Sequence, residues 1–139
     1  MSWLTDRFKD SVHYADLVEI ITAGKTLTAA ADNNKTFILG DAAPGTITLP
    51  AHSAGFSCKV IVGFAITTNA VVTANAADVD TMEGALMVAS TVVTVDAADS
   101  INFVATAENI GDWVTFFSDG TTWFVDGRAL TTAAITATG

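Results

Sequence analysis

The segment Gly111-Asp-Trp-Val-Thr-Phe-Phe-Ser-Asp-Gly-Thr-Thr-Trp-Phe-Val-Asp-Gly127 constrains the fold more than any other part of the chain. Two runs of β-branched and aromatic residues flank Ser118-Asp119-Gly120, and a glycine able to take positive φ after an aspartate is the chemistry of a hairpin turn. The pattern predicts a β-hairpin. Alternate side chains of a strand face opposite ways, which puts Trp113, Thr115 and Phe117 on one face and Val114 and Phe116 on the other. Both faces carry large apolar groups. A small domain offers one interior, so the second face calls for cover from outside the chain, and a neighbouring subunit is the natural source.

The same grammar extends upstream. Thr36-Phe-Ile-Leu39, Thr46-Ile-Thr-Leu49, the long run from Phe56 to Ala65, Ala70-Val-Val-Thr73, Thr91-Val-Val-Thr-Val95 and Ser100-Ile-Asn-Phe-Val-Ala105 read as strands. Between them lie Gly, Asn, Asp and Pro turns. With no helical segment between strands, pairing is expected to be antiparallel. The fold class that follows is all-β: an antiparallel β-sandwich, jelly-roll-like or β-barrel-like, with a short N-terminal helix or arm. Leu4, Phe8, Val12 and Ala15 recur at the spacing of one helical face and suggest that helix. The chain divides into residues 1–20 as arm or helix, 21–127 as the sandwich, and 128–139 as a low-complexity Thr/Ala tail that is an exchanged arm or frayed.

Half of the 139 residues are hydrophobic and only 15% are charged, against about 25% charged in an ordinary soluble domain. No run approaches the roughly 18 apolar residues of a membrane-spanning helix, and the N-terminus lacks the basic flank and apolar centre of a secretory signal. Surface shared within an oligomer or larger assembly explains so few charges. Net charge is −9, and residues 36–127 carry Lys59 as their only base against ten acids, so phosphate-bearing partners are repelled. Neither nucleic acid nor an anionic membrane is expected as a partner.

No cofactor or metal is called for, and no enzyme is expected. His13 and His52 are the only histidines, and no Gly-x-Ser-x-Gly, His-Glu-x-x-His or P-loop accompanies them. His52 is read as a lone exposed residue of a loop. Cys58 shares a face with Phe56, Val60, Val62 and Phe64, which makes it a buried hydrophobe. Asp78, Asp80 and Glu83, with Asp96 and Asp99 a strand away, suggest calcium, but they lack EF-hand spacing and read as solvated strand ends. Trp3, Trp113 and Trp123 are candidate sugar-stacking platforms, but Trp113 and Trp123 are favoured as hairpin core or interface anchors.

Four segments in order, Gly45 to Ala51, Lys59 to Val62, Asp80 to Gly84 and Ser118 to Val125, resemble a module of tailed-bacteriophage virion proteins. The resemblance covers about residues 26–127. It implies a trimer-forming β-domain of the kind used in head decoration proteins, head fibres and tail fibres. Without a shaft, collagen-like repeats or heptads, the chain looks most like a decoration, or cement, protein: a homotrimer on the outside of an icosahedral capsid, made in the host cytoplasm, with the major capsid protein as its partner. The alternative is a fibre module that binds a host glycan or receptor. Trp3, Leu4 and Phe8 are the expected capsid contacts, and Trp113, Phe116, Trp123 and Phe124 the expected subunit contacts.

Overall fold

The computed structural model describes residues 17–139. The N-terminal segment with Trp3, Leu4, Phe8 and the expected helix lies outside the described residues. Among the described residues twelve strands form two facing sheets: β1 (Val18–Ile21), β2 (Lys25–Thr26), β3 (Lys35–Leu39), β4 (Thr46–Thr48), β5 (Ser57–Val62), β6 (Ala70–Thr73), β7 (Met82–Val88), β8 (Thr91–Ala98), β9 (Ser100–Phe103), β10 (Trp113–Ser118), β11 (Trp123–Ala129) and β12 (Ile135–Thr138). A single turn of helix, α1 (Ala29–Asp32), precedes β3 and is capped by the Thr28 hydroxyl, which accepts from Ala31 N–H. The larger sheet runs β1-β3-β5-β10-β11-β7-β8 and the smaller β12-β9-β6-β4-β2.

The all-β sandwich is as the sequence predicts, and Trp113–Ser118 pairs antiparallel with Trp123–Ala129 as the expected hairpin. The sheets, however, are mixed. β1, β3 and β5 run parallel, as do β2, β4 and β6, and β7 lies parallel to β11. Parallel neighbours need a crossover, which in most proteins is a helix. Here the chain alternates between sheets from β1 to β6, so each crossover is itself a strand of the opposite sheet. Short connections therefore do not force antiparallel pairing. Gly24 and Gly45 (φ +78° and +80°) sit at successive corners of this coil; a Cβ on Gly24 would lie 2.7 Å from the Thr46 carbonyl oxygen.

The tail, too, is more ordered than its composition suggests. Ile135–Thr138 pairs with β9, and Ala134 and Ile135 are fully buried. Inside the sandwich, strand alternation delivers Phe37 and Leu39 from β3, Val60 and Val62 from β5, Val114 and Phe116 from β10 and Trp123 and Val125 from β11. Trp123 meets Phe56 edge to face, with ring centroids 5.7 Å apart.

β7 and β11 approach closely at Gly84, where a Cβ would lie 2.0 Å from the Val125 carbonyl oxygen and φ is +147°. Gly84→Ala forces the two strands apart, and a loss of about 2–4 kcal/mol is expected in urea unfolding.

Candidate functional site

The outer face of the larger sheet is built by the residues that strand alternation turns away from the core. Register places Ile20, Ile38, Ile61, Trp113, Arg128, Met87 and Val92 side by side, one from each of the seven strands. Six of the seven are apolar. Ile20 and Val92 at the two rims are 64% and 59% exposed. Exposed Ile110 and Leu130 extend this row at the end of β10 and β11. A second row on the face is polar: Val18, Thr36, Lys59, Thr115, Asp126, Ala85 and Thr94. Further along, Phe117 and Phe124 stack with centroids 6.3 Å apart, both nearly half exposed.

Of the hairpin residues expected at a subunit contact, Trp113 and Phe124 lie on this outer face. Phe116 and Trp123 do not. Both are fully enclosed by their own chain, because they fall on the inward parity of β10 and β11. The aromatic that joins Trp113 and Phe124 outside is Phe117. Trp123 likewise cannot serve as a sugar platform, and Trp113 is half-buried with the Lys59 ammonium 4.8 Å from its ring centroid.

The smaller sheet presents a different chemistry. Its outer face carries a row of hydroxyls, Thr26, Thr48, Thr73, Ser100 and Thr138, one from each of five strands. Beside it run Thr46, Val71, Asn102 and Thr136. No charged residue stands in either row.

His52 corrects the sequence reading. Its ring is enclosed against Trp123, with centroids 5.3 Å apart and 9% of the side chain exposed. Nδ1 lies 3.0 Å from Ser118 Oγ and Nε2 3.2 Å from Thr81 Oγ1, while the His52 backbone N–H donates to Asp78. A proton on Nε2 satisfies the network: Nε2–H donates to Thr81 and Nδ1 accepts from Ser118, whose oxygen takes the Gly120 N–H. Serine, histidine and aspartate thus meet, but Ser118 is fully buried and the Asp78 carboxylate is 3.9 Å from Nε2. The group ties three loops together at one end of the sandwich and leaves no room for a substrate at Ser118 Oγ.

A second polar cluster closes the open end of the strand coil. Lys25 pairs with Glu19 and, at 3.0 Å, with Asp32, and Lys35 reaches both acids at 3.4–3.6 Å. Asp32 is buried, which pushes its carboxyl up, but the Thr28 N–H and the two lysines outweigh that and hold it below the usual range. The Lys25 ammonium is held above its ordinary value by its bond to Glu19, against the effect of burial.

The acidic loops spend their carboxylates on backbone. Asp78 accepts from His52 N–H, Asp99 from Asp80 N–H and Glu83 from Ala97 N–H. Among the described residues no three acids, histidines or cysteines converge as cation ligands. Cys58 is buried, and burial raises its thiol to about 12. A thiol reagent at neutral pH is therefore expected to label Cys58 only after denaturation, a result readable by mass spectrometry.

Two shallow clefts open on the outer face of the larger sheet. One, about 230 Å³, lies by Thr36, Lys59, Thr115 and Phe117, and the other, about 170 Å³, by Trp113, Arg128, Ile110 and Leu130. Both are smaller than the roughly 300 Å³ at which small-molecule sites begin. No family model matches the chain, and no curated protein matches it.

Proposed function

We propose that this chain is a virion structural protein, a decoration or cement protein that binds the exterior of an icosahedral phage capsid as a homotrimer and stabilises it. The observation that carries the reading is the outer face of the seven-stranded sheet, where apolar side chains from six strands stand in one outward-facing row, three of them exposed and three half-buried. A face of this kind on an otherwise acidic body suits assembly. The polar clusters are consumed in holding loops and sheet ends together, which suits a passive role without turnover. The order of the four virion-module segments adds the capsid as the partner. Modest contacts repeated over three subunits and many sites would then add by multivalency.

Titrating the protein against purified capsids that lack it tests the reading. Saturation at a fixed number of chains per capsid, with a higher temperature of capsid rupture, is expected. Absence of binding to any capsid of the parent particle would end the proposal. A second reading, a fibre module that binds a host-surface glycan, draws on the hydroxyl rows of the smaller sheet, which offer hydrogen bonds without charge. Adhesion to host cells that survives loss of the capsid would favour it.

A further inference from the structure

We infer that the outer face of the seven-stranded sheet is where copies of this chain meet one another, with Lys59 of one copy paired to Asp126 of the next. The inference rests on the homotrimer reading and assigns its interface.

Charge selects the partner. The described residues hold four bases against twelve acids. Lys25 and Lys35 are tied to Glu19 and Asp32 at one end of the sandwich. The other two bases, Lys59 and Arg128, both lie on the outer face of the larger sheet, with Asp126, Glu83 and Asp96 as its acids. This face is therefore close to balance, two bases against three acids, while the rest of the described body holds two bases against nine acids. Copies repel through their acidic loops but not through either outer sheet face, and of the two faces only this one adds an apolar row, the smaller sheet offering hydroxyls instead.

Geometry selects the mode. The apolar row runs across the strands, so in copies related by an axis along the strand direction the rows lie at one height and close a ring. β10 is the fourth of seven strands, so Trp113 and Phe117 stand at the middle of the face, where side chains from three sheets converge on a three-fold axis. Aliphatic Ile20 and Val92 occupy the rims where neighbouring sheets meet.

Lys59 and Asp126 share the next lateral row, with Thr115 between them. Two strand spacings, about 9.6 Å, separate them within one chain. The same ring that aligns the apolar rows places Lys59 of one copy level with Asp126 of its neighbour. Seven strands at about 4.8 Å and a six-residue length of about 20 Å give a face of roughly 600 Å² per copy, at the lower limit of a stable interface.

Charge reversal tests the pairing. Lys59→Asp and Asp126→Lys each set like charges opposite one another and are expected to weaken assembly by at least about tenfold in sedimentation equilibrium. The double variant Lys59→Asp/Asp126→Lys should recover the native mass. Both sites are on the outer face, and far-ultraviolet circular dichroism checks that each variant folds. Folded single variants of unchanged mass, or a folded double variant that stays dissociated, would overturn the pairing. A native chain that is monomeric yet saturates capsids would sink this interface and leave the decoration reading standing. A trimer that obeys the charge reversals but ignores capsids would do the opposite.

Discussion

Phe116→Asp is expected to prevent folding, whereas Phe124→Asp is expected to fold and to lose assembly. Phe116 is fully buried on β10 against the interior, so the substitution removes its packing and places an unpaired carboxylate among Phe, Val and Trp side chains. Truncation of a core Phe alone costs about 3–5 kcal/mol, and an unpaired buried charge adds to that. Since a domain holds only about 5–15 kcal/mol in total, little native state is expected to remain. Phe124, on the adjacent strand but with outward parity, is 47% exposed and touches Phe117. An aspartate there meets water in the free chain and a neighbour's apolar face in the assembly. Circular dichroism and sedimentation on the same two samples separate the outcomes. Equal behaviour of the two variants would show that the two faces of the hairpin are not divided between core and neighbour.

The second large effect is expected at Asp32. Asp32→Asn leaves Lys25 and Lys35 facing each other across the end of the strand coil with Glu19 alone to balance them. Asp32 is buried but both lysines reach water, so the loss is expected at about 1–3 kcal/mol, below that for a fully buried pair, and is read as a lower urea midpoint at neutral pH. The wild-type chain should also show the linkage. Because the folded Asp32 carboxyl titrates below its ordinary 3.8, its contribution is present above that value and is lost as pH falls below it toward the folded value. Lys25 has the opposite sign: raised above 10.5 in the folded chain, its contribution is present below that value and fades at still higher pH. Stability measured between pH 5 and 2 should fall for wild type, and less steeply for Asp32→Asn. A parallel fall in both would place the acid sensitivity elsewhere.

Much of the architecture was legible because strands announce themselves by alternation. The hairpin, the shared face of Cys58, Val60 and Val62, and the separation of Val114 and Phe116 from Trp113 and Phe117 follow from parity alone, but which hairpin face turns inward does not: Phe116, expected at a subunit contact, is core. The parallel pairing was not read from the sequence, where short connections pointed to antiparallel neighbours, and its signal is weak. Ile38-Leu39-Gly40 and Ile61-Val62-Gly63 repeat one pattern, and Ile38 pairs with Ile61 and Leu39 with Val62 in successive turns of the coil. His52 carried no such signal. Its partners Thr81 and Ser118 are 29 and 66 residues away, and only the closing of three loops brings them within hydrogen-bond reach.

The chain by itself determined that it would be all-β, that its hairpin would be apolar on both faces, and that its body would be acidic, because periodicity and charge are local properties of the residues. Tertiary structure alone decided which aromatics face the core and which face outward, that the Thr/Ala tail would be a strand, and that Lys25 and Lys35 would close one end of the sandwich while Lys59 and Arg128 flank Trp113. Those outcomes depend on which strands become neighbours, and neighbour choice is settled by pairing across long sequence separations that no single stretch encodes.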